Sequence, residues 1–237
     1  MKFDNKLIKL IKYHNLINHN LIYSNKAVNR YKQKEFKIDS KNLSQQLALL
    51  ENTISNITNC SLKENASKIV FADGNPDSKI MIIGEGPGAN EDKEGLPFVG
   101  RAGQLLDKML KSINLDRDNV YITNVVNFRP PENRKPTEKE IKRYLPFLIN
   151  HIQIIKPKIL ILLGSTALNA IIGDEVVISK ARGKWVEKEI GNCKLSIIAS
   201  FHPAFLMRQP EQKKFAWTDL KMVRKKIIEL GIKIVKK

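Results

Sequence analysis

Four short apolar runs, KIMIIGE at 79–85, NVYITNVV at 119–126, KILILLG at 158–164 and LSIIASF at 195–201, are separated along the chain by longer stretches of helical period. Within each run apolar residues occupy consecutive positions, so both faces of the strand are expected to be covered. The intervening patterns predict helices near 101–113, 137–155, 165–172 and 212–230. Strands and helices that alternate in this way build a parallel sheet with helices on each side. The pattern therefore predicts an α/β fold, a three-layer α/β/α arrangement around a central four-stranded parallel sheet.

The first 55 residues follow a different rule. Leu7, Leu10, Ile11 and His14 recur at helical spacing, and after Ser40 so do Leu43, Leu47, Leu50 and Ile54. Between these helices Tyr23 to Lys37 is polar and basic, the composition of a linker. The expected organisation is an N-terminal helical extension with a basic linker over 1–55 and an α/β domain over 56–237. A chain of 237 residues can bury one full core of this kind.

Charge narrows the partners. Forty-one Lys and Arg stand against 24 Asp and Glu, a formal net charge of +17. Such an excess favours a polyanion, either nucleic acid or an anionic membrane. The helix at 212–230 and the tail after it carry nine Lys or Arg against Asp219 and Glu229, a face suited to phosphates. No apolar run reaches the roughly 18 residues that cross a bilayer, and the opening MKFDNKLIKLIKYHN places Lys and Asn among its apolar positions. Neither a membrane span nor a signal peptide is expected. Cys60 and Cys193 lie far apart and form no ligand cluster, so no disulfide framework and no metal site are expected, and a reducing cytoplasm fits.

In open α/β sheets ligands bind beyond the carboxyl ends of the strands. The loops to inspect therefore start at Glu85, Val125, Ser165 and His202. The first, GEGPGANEDKEGLPFVGRAGQ at 84–104, combines glycines that admit close backbone approach with an acidic cluster able to supply a general base. Gly84, Gly86 and Ala89 also satisfy the dinucleotide pattern formally, but no apolar helix follows, and Glu91, Asp92 and Glu94 would repel a pyrophosphate. The second loop, NVVNFRPPENRKP at 124–136, offers a carboxamide at the strand end, two stiffening prolines, and Arg129 and Arg134 for phosphates. The last, FHPAFLMRQP at 201–210, sets His202 at a strand end with apolar residues and Arg208 behind it.

Taken together, GEGPG with ED, LPFVGRAGQLLDKML, TNVV with RPP and NR, and HPA-aromatic-L with RQP resemble family four of the uracil-DNA glycosylase superfamily over roughly residues 60–220. The resemblance implies a monofunctional DNA glycosylase that flips uracil out of DNA, single- or double-stranded, and hydrolyses its glycosidic bond in base excision repair. It implies that Phe98 stacks on the flipped base, that Asn124 pairs with its N3 and O4 edge, and that Glu85 and Gly86 wall the pocket, with Gly86 leaving room for the base. By the same resemblance His202 donates to uracil O2 as charge moves onto the leaving base, and Glu91, with Asn133 beside it, orients or activates the water. Arg129, Arg134 and Arg208 would meet phosphates, and Leu206 or Met207 would fill the gap left by the flipped nucleotide.

Most members of that family carry four cysteines for a 4Fe-4S cluster. The corresponding positions here are Ile57, Cys60, Phe128 and Tyr144, so no cluster is expected and no other cofactor is implied. A branch that crosslinks itself to DNA uses a histidine in the second loop, and none lies between Asn124 and His151. The competing reading is a catalytically silent DNA-binding or replication accessory protein on the same fold. Binding alone needs none of Glu91, Asn124 and His202, so their joint presence favours the enzyme, acting as a monomer.

Overall fold

The computed structural model describes residues 42–173 and 176–234. In chain order these form α1 (Leu43–Ser55), α2 (Ser61–Asn65), β1 (Ala72–Gly74), β2 (Ile80–Gly84), α3 (Ala89–Glu94), α4 (Arg101–Lys111), β3 (Tyr121–Asn124), α5 (Glu138–Ile155), β4 (Ile159–Leu163), α6 (Ser165–Ile171), α7 (Ile178–Ala181), β5 (Trp185–Ile190), β6 (Cys193–Ser200), α8 (Pro203–Arg208) and α9 (Lys213–Glu229). The helix expected at Leu7–His14 and the linker at Tyr23–Lys37 lie outside the described residues. Among those described, no helix is long and apolar enough to cross a membrane.

The α/β fold and its parallel centre are as expected, while the sheet is larger. Six strands run in the order β1-β3-β2-β4-β6-β5, with β3, β2, β4 and β6 mutually parallel and β1 and β5 added antiparallel at the edges. The register sets Ile82 between Ile122 and Ile161, and it brings Gly84 level with Asn124 and Leu163 level with Ser200. The carboxyl ends of four strands thus open on one side of the sheet, where the chain reverses from β3 across β2 to β4.

Alternate residues of the parallel strands feed two separate cores. Met81, Ile83, Leu160, Leu162 and Ile197 pack against α1, α5 and α6, while Ile80, Ile82, Ile122, Ile161 and Ile198 pack against α4 and α9. Burying each such side chain contributes about 1.5–3 kcal/mol, which is why consecutive apolar residues specify these strands. Leu47, Leu50 and Ile54 place α1 in the first of these cores. Helix α5 starts where its sequence directs: the Glu140 backbone N–H donates to Thr137 Oγ1 (3.3 Å), and the Thr137 N–H donates to the Glu140 carboxylate (2.7 Å).

Candidate active site

A cavity of about 170 Å³ opens at the carboxyl ends of the parallel strands. The structure brings Glu85, Gly86, Glu91, Phe98, Asn124, Asn133, Arg134 and His202 together around it. Three loops far apart in sequence converge there because β2, β3 and β6 end level with one another.

Asn124 closes β3 at 3% exposure. Its Oδ1 is the one buried side-chain nitrogen or oxygen among the described residues that has no hydrogen-bond partner. An acceptor left in that condition costs about 1–3 kcal/mol, so it is expected to meet a ligand donor. Gly84 explains how the atom is kept accessible, since a Cβ there would lie 2.4 Å from Asn124 Oδ1 and 2.5 Å from the Phe98 ring. At Gly86 a Cβ would instead meet Val126 Cγ2 at 2.7 Å. Gly84, to which the motif assigned no place in the pocket, is therefore the glycine that keeps Asn124 and Phe98 clear of a side chain, and Gly86 is required by the loop wall behind it.

Phe98 is 5% exposed and holds a left-handed backbone, φ 55°. For a bulky residue that conformation costs on the order of 1–3 kcal/mol and survives only where its surroundings enforce it. Arg117 supplies much of the enforcement: its guanidinium donates to the Pro97 carbonyl (3.2 Å) and to the Phe98 carbonyl, and it is itself held by Asp73 and by Asp107 (2.9 Å). Gly103 completes it, because a Cβ there would fall 1.6 Å from the Phe98 carbonyl oxygen. Nothing in the sequence marks Arg117, a lone arginine in a polar turn.

His202 lies against Phe98, ring centroids 5.6 Å apart and 29° between planes. Its Nδ1 accepts the Ala204 backbone N–H at 3.2 Å, which leaves the proton of the neutral ring on Nε2. Burial, with the nearby Arg208 charge acting in the same direction, pushes the imidazole down to about 4. The ring is thus a neutral donor at physiological pH.

Both oxygens of Glu91 are tied to backbone amides, Oε1 to Gly100 N–H (2.8 Å) and Oε2 to Gly88 N–H (3.1 Å). The carboxylate therefore caps α3 and fixes the loop before α4, and each oxygen keeps a second lone pair for a water. Glu85 accepts from the Thr166 hydroxyl at the start of α6, a partner supplied by the strand-end loop that begins at Ser165. Asn133 Oδ1 accepts from Arg129 Nε at 2.8 Å, which sets Arg129 beside the cavity wall.

Two expected DNA contacts are differently placed. Leu206 is 1% exposed and packs in the core beneath α8, so it is not free to enter a base stack, whereas Met207 is half-buried. The fork of Arg134 grips Glu140 (2.8 and 2.7 Å) and holds that carboxyl at about 2, which ties Arg134 to the start of α5.

The four positions that the resemblance matches to cluster cysteines, Ile57, Cys60, Phe128 and Tyr144, do not fit a cluster here. Cys60, Phe128 and Tyr144 are buried in one apolar corner with Ile57 against it, and Cys60 Sγ lies 3.4 Å from the Tyr144 hydroxyl. Arg143 donates to the Thr58 and Asn59 carbonyls, tying the turn before Cys60 to α5. A single thiol among apolar and aromatic side chains is not a 4Fe-4S donor set, and Cys193 sits on β6 near the Ile152 carbonyl. No group of three or more His, Cys, Asp or Glu among the described residues is disposed to hold a metal ion.

Comparison with known proteins agrees with this geometry. The family model for the Uracil DNA glycosylase superfamily matches residues 71–221. The chain is similar to the Type-4 uracil-DNA glycosylase of Thermotoga maritima, 41% identical over 163 residues that cover 68% of this chain and 83% of that protein. The Type-4 uracil-DNA glycosylase of Sulfurisphaera tokodaii is 43% identical over 173 residues, 70% of this chain and 77% of its own length. That of Archaeoglobus fulgidus is 38% identical over 168 residues, 69% and 84%.

Proposed function

The chain belongs to the uracil DNA glycosylase superfamily, and from that membership and the chemistry of its cavity we propose how it excises uracil from DNA as a monofunctional glycosylase. The observation that carries the assignment of roles is the orphaned Oδ1 of Asn124. Uracil offers an N3–H donor and an O4 acceptor along one edge, and a carboxamide answers both, Oδ1 accepting from N3 and Nδ2 donating to O4. Phe98 stacks on the base, and the Nε2–H of neutral His202 points its dipole at O2.

The bond between C1′ and N1 breaks with its electron pair passing onto the base and spreading to O2, where His202 stabilises it. A neutral donor suits this task, because an imidazolium would surrender its proton to the anion it should only stabilise. Water held by Glu91 bonds to C1′ of the cationic sugar, and its proton leaves through the carboxylate to solvent. Two backbone N–H bonds fix that carboxylate at the cavity edge, which supports a role in holding the water.

The residues around Cys60 support a glycosylase that folds and acts without an iron-sulfur cluster. Arg129, Met207 and Arg208 are assigned to the flanking DNA, with Met207 as the wedge. A monomer in the cytoplasm is part of this reading, and two buried free thiols are in keeping with that compartment. Single-turnover incubation with an oligonucleotide containing one uracil, followed by alkaline cleavage at the abasic site, tests the reading. Asn124→Ala and His202→Ala should each lose roughly 10²-fold or more. A parent protein that leaves the uracil in place would overturn the assignment in favour of a silent DNA-binding protein.

A further inference from the structure

An apolar groove lies between α4 and α9, lined by Leu105, Met109, Leu206, Trp217 and Leu220, with Lys108 and Lys213 among its walls. Its volume, about 200 Å³, is close to the 170 Å³ of the cavity assigned to the flipped base. Trp217 is 43% exposed there, unusual for the largest apolar side chain, and Lys221 Nζ lies 5.9 Å from its ring centroid. None of the groove's lining residues is a carboxylate.

The groove and the active site are built on the same two helices. Ala102 of α4 and Ala204 of α8 line the base cavity, while Leu105 and Met109 of α4 and Leu206 of α8 line the groove. From Ala102 to Met109 is seven residues of helix, about 10 Å of rise. That distance is on the scale of a nucleotide or two of extended single strand, and the half-buried Met207 follows Leu206 directly.

We propose that this groove is a second nucleobase site, which takes an unstacked base of the single strand flanking the flipped uracil. Trp217 provides the stacking face, and Lys108, Lys213 and Lys221 meet the adjoining phosphates. Aromatic rings between cations are the means by which proteins hold unpaired strands without reading sequence. A base has the flat apolar faces that the walls of the groove demand, and the phosphates supply the negative charge that its lysines lack. The proposal rests on the glycosylase reading, since it takes the strand to be threaded from the uracil cavity. It implies that single-stranded DNA of sufficient length is engaged at both sites.

The test compares two uracil substrates, one of about four nucleotides that fills the catalytic cavity alone and a single strand of about 12 that reaches the groove. Trp217→Ala should leave kcat/KM on the short substrate unchanged and lower it on the long one by about tenfold through KM. Lys108→Glu combined with Lys213→Glu should act in the same direction and flatten the salt dependence. In a Trp185→Phe background the remaining Trp217 emission should be quenched by oligothymidylate and not by heparin, which has the charge but no bases. Equal losses on both substrates, no loss on either, or equal quenching by heparin would each overturn the second site. Should the parent excise uracil from neither substrate, the glycosylase reading falls, while the fluorescence titration still decides the groove.

Discussion

Replacing Asn124 by Asp changes one NH2 to oxygen at 3% exposure and leaves the shape of the cavity almost intact. In the parent, Oδ1 has no protein partner, and the substituted carboxyl would have none either. Burial without a donor raises a carboxyl above its ordinary value near 3.9, and Glu85 and Glu91 in the same cavity raise it further. Where the group is ionised it turns a bare acceptor toward uracil O4, at a cost of about 1–3 kcal/mol, so excision should fall roughly tenfold or more. Where it is protonated, C=O still accepts from N3–H and O–H can donate to O4, and the edge is again matched. His202, held down to about 4, stays neutral through that change.

The ratio of variant to parent excision should therefore rise as pH falls from about 8 to about 5.5. Stability should move the same way. A carboxyl whose folded value lies above its unfolded one favours the neutral form on folding, so its contribution is lost as pH rises through the folded value. The assay is single-turnover excision on uracil and cytosine at several pH values, paired with urea midpoints for variant and parent. A variant that matches the parent on uracil at about pH 8 would remove Asn124 from reading the base. A ratio that does not change with pH would mean the site is wetter than its burial indicates.

His202→Ala should cost roughly 10²-fold in single-turnover excision with DNA affinity nearly unchanged, and parental excision should show no break near pH 6.5, declining only as pH nears about 4; a limb at the ordinary histidine value would contradict the neutral ring. Glu91→Ala should lower excision about as much, and near-normal rates would leave Glu91 only its cap on α3. Arg117→Ala should release Phe98 and lower excision by about tenfold, with Arg117→Lys restoring part of it, and should weaken inhibition by free uracil without weakening binding to undamaged DNA; equal effects on both would make Arg117 merely structural. Purified protein should be colourless and should regain full excision after unfolding and refolding with a chelator, and stoichiometric iron with acid-labile sulfide would refute the reading of the Cys60 corner.

The parallel strands were legible because burial on both faces demands consecutive apolar residues, and that demand is written directly into 79–85 and 158–164. The edge strands obey no such demand. β1 is Ala-Asp-Gly, too short to carry a pattern, and β5 exposes Glu187, Lys188 and Glu189 as an edge can. The turn between β5 and β6 did leave a sign, Gly191-Asn192 between Ile190 and its partner Cys193. Residues of the motif loops line the cavity at the strand ends, yet the directions of side chains within them depend on packing. Leu206 and Met207 read alike in sequence, and only the seating of α8 over the core turns the first inward. Arg117 was silent for the opposite reason, since its function lies in two carbonyls 19 and 20 residues away.

How the cavity is anchored bears on the proposal that the chain acts without a cluster. Phe98 is held by Arg117 and its two carboxylates, Glu91 by two backbone amides, His202 by the Ala204 N–H, and Glu85 by Thr166. None of these bonds passes through the corner of Ile57, Cys60, Phe128 and Tyr144. That corner reaches the cavity by the loop from Phe128 to Asn133, whose start is held independently by Asn127, whose amide donates to the Val70 and Phe71 carbonyls at 3.0 and 3.4 Å. Apolar packing and the Arg143 bonds to the turn before Cys60 are enough to keep such a corner in place, because it fixes the position of a loop and performs no chemistry. Arg143→Ala should accordingly lower the urea midpoint and leave excision by the folded protein nearly unchanged. A variant that folds as stably as the parent but excises tenfold more slowly would show that the corner governs the cavity after all.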